Sequence, residues 1–259
     1  MSLRIGNKEI RSRLIIGSAQ YPSPEEMKNS IIASGAGIVT VSLRRQNPNA
    51  NEGAKFWEII KSTGCEVLPN TAGCKTAKEA ITTAQMAREL FNTTWIKLET
   101  VGDEYTLQPD PIELLEAARV LNNEGFEVFP YCTEDLSIAQ RLVDCGCSIL
   151  MPWASPIGSA QGILNEYALR TLRERLPDVT LVVDAGIGKP SEAARVMELG
   201  YNAVLVNSAI ALADDPVDMG KAFAAAVNAG RLGYEAGLIN TRDMARPSTP
   251  VPGTPFWNE

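Results

Sequence analysis

The sequence predicts an α/β protein of the (β/α)8 TIM-barrel class, and three observations carry that prediction. Eight short apolar runs alternate with eight capped or amphipathic segments, the pattern of a parallel sheet wound with helices. The runs are apolar throughout rather than alternating, as strands covered on both faces require. The unit recurs every ~25 to 30 residues, which suits one closed barrel better than an open sheet or two domains. A single domain is expected over residues 1–245. The tail over 246–259 carries Pro247, Pro250, Pro252 and Pro255, which exclude regular helix or central strand.

The elements follow in order. Arg4-Ile5 and Glu9-Ile10 flank Gly6-Asn7 and predict a short N-terminal hairpin ahead of the barrel. The first barrel strand is Leu14 to Gly17, and Ser23-Pro24-Glu25-Glu26 opens its helix with a hydroxyl cap, a proline and acids in the first turn. The second is Ile38 to Leu43, followed by Arg44-Arg45, a polar loop through Asn51 and a helix from about Ala54 to Ser62. Val67 to Asn70 is the third, with a helix from Thr76 to Leu90. Trp95 to Glu99 is the fourth, and Asp110-Pro111 starts a helix that runs to about Asn123. Phe126 to Tyr131 leads to a helix over Glu134 to Cys145, and Ser148 to Pro152 to a long loop and a helix after Asn165. The seventh strand, Thr180 to Asp184, precedes a helix opened by Pro190-Ser191-Glu192. The eighth is Ala203 to Asn207, and the last helix spans about Val217 to Ala229.

Composition removes several function classes. The formal charge is −7, with no basic block, so a nucleic-acid partner is not expected. No apolar signal core or membrane-length run occurs, which predicts a cytoplasmic protein. The chain has no histidine and five cysteines without a CxxC pair. A zinc site and the histidine-dependent triads are therefore not expected, no metal is called for, and the cysteines read as small buried side chains of a reducing compartment. Acid–base work falls to Asp, Glu, Lys or Tyr.

Trp95-Ile96-Lys97-Leu98-Glu99 holds the strongest chemical signal. Alternation along a strand points Lys97 and Glu99 the same way, with Trp95. Burial lowers the pKa of an ammonium and frees an amine, while the carboxylate pulls the other way and can carry protons. That pair suits imine chemistry on a ketone or aldehyde; a buried structural ion pair is the competing reading. Barrel function sits where strands run into the following loops, and the last two such loops commonly hold phosphate. Asp184-Ala185-Gly186-Ile187-Gly188, Asn207-Ser208 and the loop Ser155 to Gly162 supply exposed backbone N–H groups at that end. Together they favour a phosphosugar site.

Asn70-Thr71-Ala72-Gly73-Cys74, the Trp95 to Glu99 strand, Met151-Pro152 with Ser155-Pro156-Ile157-Gly158, Val183 to Gly188 and Gly230-Arg231-Leu232 resemble the bacterial thiazole synthase family, from about Leu14 to Gly237. The resemblance implies a sulfurtransferase-class enzyme of thiamine biosynthesis without cofactor. It would join 1-deoxy-D-xylulose 5-phosphate, dehydroglycine and sulfur from a small sulfur-carrier protein with a C-terminal thiocarboxylate, and act as a homo-oligomer, a tetramer by family. It makes Lys97 the imine-forming residue, Glu99 and Asp184 the proton carriers, and Gly158, Ala185, Gly186, Asn207 and Ser208 the sugar-phosphate contacts. Gln20, Trp153 and Ala160 depart from the family pattern. Gln20 stands where a lysine is common, so one cationic contact is expected to be missing, and the other two are expected to narrow the pocket or alter the carrier surface. A related thiolation of another phosphosugar, a class I aldolase, a phosphosugar isomerase and a non-catalytic phosphometabolite-binding barrel share parts of this pattern.

Overall fold

A computed structural model describes residues 3–6, 8–43 and 50–245, except for the side chains of 50–54. The hairpin turn at Asn7, the Arg44-Arg45 loop and the Pro-rich tail thus fall wholly or partly outside the described residues. Strands β1 (Leu3–Ile5) and β2 (Lys8–Ile10) pair antiparallel. Eight parallel strands then close on themselves: β3 (Leu14–Gly17), β4 (Ile38–Ser42), β5 (Glu66–Asn70), β6 (Trp95–Leu98), β7 (Glu127–Cys132), β8 (Ile149–Pro152), β9 (Thr180–Asp184) and β10 (Ala203–Val206), the last pairing back with β3.

Helices alternate with them: α1 (Pro24–Ser34), α2 (Ala50–Ser62), α3 (Ala77–Phe91), α4 (Pro111–Asn123), α5 (Leu136–Asp144), α6 (Glu166–Arg175), α7 (Pro190–Glu198), a single turn α8 (Ser208–Ala211) and α9 (Pro216–Ala236). Local chemistry starts them. The Ser23 hydroxyl accepts from the Glu26 amide at 3.1 Å, and the Asp110 carboxylate from Ile112 and Glu113 at 2.8 and 3.1 Å. Each satisfies amides that a helix start leaves orphaned.

Two boundaries differ from the sequence reading. Helix α2 begins at Ala50, so the expected loop through Asn51 ends earlier. Helix α9 continues to Ala236, seven residues past the expected end at Ala229. Gly230 looks like a stop, yet it lies inside the helix because α9 crosses α7 there: a Cβ on Gly230 would stand 2.2 Å from the Ala194 carbonyl oxygen. Close helix approach, rather than helix termination, is what that glycine serves.

The core has two layers. Outside the barrel wall, strand residues such as Val39, Ile96, Val128 and Val183 pack against the helices. Inside it, Ile15, Ile38, Leu68, Trp95, Phe129, Ile149, Met151 and Val182 fill the lumen, and Leu3, Ile5 and Ile10 of the hairpin join the same cluster. The hairpin therefore plugs the end where the strands begin. Its Lys8 ammonium pairs with Glu66 at 2.6 Å and lies over the Trp95 ring at 4.8 Å. With that end filled, the open space is left where the strands end.

Candidate functional site at the open end of the barrel

A cavity of about 460 Å³ opens at the strand ends, within the range of ~300–1,000 Å³ typical of small-molecule sites. Its lining includes Lys97, Glu99, Asp184, Gly158, Ala185, Gly186, Asn207 and Ser208, so the structure brings all eight sequence-derived candidates to one place. Lys97, Glu99 and Asp184 are the only charged side chains among the described lining residues.

The three form one buried cluster. Lys97 Nζ is 2.6 Å from Asp184 Oδ2 and 3.0 Å from Glu99 Oε1, and each residue is at most 6% exposed. Strand alternation places Lys97 inward, two residues beyond Trp95; Asp184 ends β9 across the barrel. Glu99 lies one residue past β6, and Thr71 holds it there. The Thr71 hydroxyl donates to the Glu99 carbonyl and accepts from the Glu99 amide, both at 2.8 Å, while the Thr71 amide donates to the Lys97 carbonyl at 3.1 Å. Sequence reasoning did not single out Thr71 for this role, although it sits in the Asn70 to Cys74 run. A buried threonine whose partner follows the neighbouring strand gives no periodic signal.

The charge state corrects one expectation. Burial works to neutralise Lys97 and is the largest single influence, but the charges of Asp184 and Glu99 and their hydrogen bonds together outweigh it. Nζ is held protonated above the ordinary lysine range rather than released as a free amine. Asp184 moves up from the ordinary carboxylate range because burial outweighs its pairing with Lys97. The ammonium must pass a proton on before it can attack a carbonyl, and a buried carboxylate with a raised pKa at 2.6 Å suits that transfer.

Three loops meet at the far side of the cavity. Gly186 adopts φ 81°, and a Cβ there would lie 1.9 Å from Ser155 Oγ and 2.6 Å from the Ser155 amide nitrogen. The glycine thus lets the β9–α7 turn cross the β8–α6 loop. The Ala154 amide donates to the Ala185 carbonyl at 3.2 Å, and the Gly162 amide to the Gly186 carbonyl at 2.9 Å. Asn207 spends its side chain on structure: with its amide nitrogen turned to the available acceptors, it donates to the carbonyls of Gly17 and Ala19 at 3.2 and 3.0 Å. Its backbone is what remains for a ligand.

The departures from the family pattern take definite places. The Gln20 side-chain oxygen accepts from Ser208 Oγ at 3.0 Å, so a neutral amide stands at this edge. Trp153 is absent from the cavity lining and its indole N–H bonds Glu134. It joins two loops and does not narrow the pocket. Ala160 does line the cavity, at φ 52°. Among the described residues no group of three or more His, Cys, Asp or Glu side chains is arranged to hold a metal, and no helix is long and apolar enough to cross a membrane.

Comparison with known proteins places this geometry. The profile of thiazole biosynthesis protein ThiG matches residues 4–250. The chain belongs to the ThiG family. A thiazole synthase of Rhodopseudomonas palustris strain BisB5 is 64% identical over 252 residues, 97% of each chain. One from Bradyrhizobium sp. strain ORS 278 is 62% identical over 256 residues, 99% of this chain and 98% of that one. Among solved structures, the Amycolatopsis orientalis BexX/CysO complex contains a chain 34% identical to this one, with a TM-score of 0.83 over 93% of this chain and 98% of that chain. A thiamine phosphate pyrophosphorylase from Pyrococcus furiosus, at 13% identity and a TM-score of 0.58, shares the fold alone. The chain is thus an enzyme of the thiazole synthase family, and three strands that carry its motifs, β5, β6 and β9, supply Asn70, Lys97 and Asp184 to the cavity.

Proposed function

We propose that the enzyme forms the thiazole phosphate of thiamine from 1-deoxy-D-xylulose 5-phosphate, dehydroglycine and sulfur delivered by a small carrier protein with a C-terminal thiocarboxylate. The observation that carries this reading is Lys97 Nζ held between Glu99 and Asp184 in the cavity. One ammonium flanked by two buried carboxylates is equipped to become an imine and to have protons taken and returned around it. Asp184 or Glu99 accepts a proton from Lys97, and Nζ adds to the sugar ketone. The imine acidifies the adjacent carbon. The two carboxylates, on β9 and just beyond β6, then serve different positions of the sugar as its carbonyl migrates and water leaves.

Backbone N–H groups around Gly158, Ala185, Gly186, Asn207 and Ser208 form the phosphate end in this reading. Among the described residues the cavity's charged side chains are all at the Lys97 end, so the phosphate contacts named here are neutral donors. The solved BexX/CysO complex of a 34% identical chain supports a protein partner at sulfur delivery. A homo-oligomer, a tetramer by family resemblance, located in the cytoplasm and working without cofactor, completes the proposal. Residues 1–245 are its catalytic domain and 246–259 its tail.

Incubation with 1-deoxy-D-xylulose 5-phosphate and borohydride, followed by peptide mapping, tests the central step. One reduced adduct on Lys97 is expected, with none in Lys97→Ala. Labelling of other lysines while Lys97 stays unmodified would remove the imine mechanism.

A further inference from the structure

Tyr131 lies beside this cavity, just outside its lining. It lies on β7, two residues beyond Phe129, which pairs with Lys97 on β6, and it is 2% exposed. Its hydroxyl is buried and makes no hydrogen bond. Lys97 Nζ sits 5.5 Å from the centre of its ring. A buried phenol ordinarily finds a partner, since an unmade hydrogen bond costs stability. This one is kept idle beside the cluster of Lys97, Glu99 and Asp184.

Counting donors through the imine step suggests why. The ammonium has three N–H groups, and Glu99 Oε1 and Asp184 Oδ2 stand 3.0 and 2.6 Å from its nitrogen, although Asp184 Oδ2, like the Tyr131 hydroxyl, is a buried atom that completes no directed hydrogen bond. When it condenses with a ketone, a carbon–nitrogen double bond forms and the carbon–oxygen double bond breaks. The oxygen leaves as water with two of the nitrogen's protons. Positive charge stays on nitrogen, but the iminium retains a single N–H and so can serve one carboxylate only. Thr71 fixes Glu99 next to Lys97 through the backbone, whereas Asp184 approaches from the opposite strand.

We propose that Tyr131 is a positioning residue whose phenol O–H is held for Asp184 and becomes its donor once Lys97 is an iminium. This rests on the imine reading above. Burial first, and then the charges of Asp184 and Glu99, raise the pKa of the phenol, so it stays protonated and acts as a donor. Among the described residues the charged and titratable groups acting on Asp184 or acted on by it are Lys97 and Glu99 on and just beyond β6, and Tyr131 and the buried Cys132 thiol on β7.

The test compares wild type with Tyr131→Phe, which keeps the ring beside Lys97. Two quantities are read with 1-deoxy-D-xylulose 5-phosphate alone: borohydride labelling of Lys97, and the pH dependence of solvent-deuterium exchange at the carbon next to the imine. Labelling should persist in the variant. The acid limb of the exchange profile should move up by about one pH unit, because a carboxylate without its donor holds its proton more tightly. The melting temperature should be equal or higher, since an unmade hydrogen bond has been removed. Superimposable exchange profiles with Lys97 labelled would overturn the role of Tyr131 and leave the imine standing. A fall in melting temperature would overturn it too, by showing that the hydroxyl is already partnered in the free enzyme. No labelling in wild type would overturn the imine and this proposal together.

Discussion

Lys97 is where burial and charge pull in opposite directions, and the two neighbouring carboxylates win. The sign of the resulting pH dependence follows. A lysine with a raised folded pKa contributes stability that is fully present below its unfolded value and lost only as pH rises through the folded one. Stability from this cluster's lysine is therefore constant through neutral pH. The lysine proton passes to a neighbouring carboxylate and not to solvent, so the reactive amine and carboxylic acid carry the same number of protons as the ion pair. The single-turnover rate of imine formation, read by rapid quench into borohydride, is therefore expected to be flat between about pH 7 and about pH 9. A rate that climbs about tenfold per pH unit there would show that the proton must leave to solvent first. Ala160 offers a second test at this scale. Its φ of 52° costs a non-glycine residue ~1–2 kcal/mol, and glycine's extra chain entropy offsets ~0.5–1 kcal/mol of that. Ala160→Gly should stabilise the protein by about 0.5–1 kcal/mol in denaturant titration.

At the scale of elements, the helices that close the barrel are set by how near they can come to one another. Helix α9 packs against both α1 and α7, and its Gly230 touches the backbone of α7. Alanine there would gain ~1 kcal/mol of helix propensity but forces the two helices apart, at ~1–3 kcal/mol or more for a methyl placed 2.2 Å from a carbonyl oxygen. Gly230→Ala is expected to lose up to about 2 kcal/mol of stability. A gain would mean that the crossing is loose. The same reasoning alters how the phosphate loops are probed. Substituting Gly186 drives a side chain into Ser155, so such a variant reports on the loop crossing and not on the ligand; comparing phosphorylated and dephosphorylated sugar is the cleaner measurement.

Over the whole molecule, the hairpin fills one end of the barrel and the cavity occupies the other. Ile5, 1% exposed in the lumen cluster, anchors the plug. Ile5→Ala should cost about 2–5 kcal/mol of stability while leaving the rate of Lys97 labelling unchanged at a temperature where the variant is folded. Coupling between the two ends would appear as a matching loss of labelling rate.

The sequence by itself determined the barrel, the hairpin, the order of its strands and the family. These rest on local signals: continuous apolar runs, caps such as Ser23 and Asp110, and motifs read in series. It also named the eight residues that the fold gathers around one cavity, because strand ends and the loops after them are readable from a one-dimensional pattern. Only the tertiary structure decided how those residues act on each other. The charge state of Lys97 depends on Asp184, 87 positions away in sequence and 2.6 Å away in space. Thr71, Tyr131 and the continuation of α9 through Gly230 were hidden for the same reason. Each is defined by a neighbour on another element, and neither propensity nor periodicity encodes a distance across the barrel.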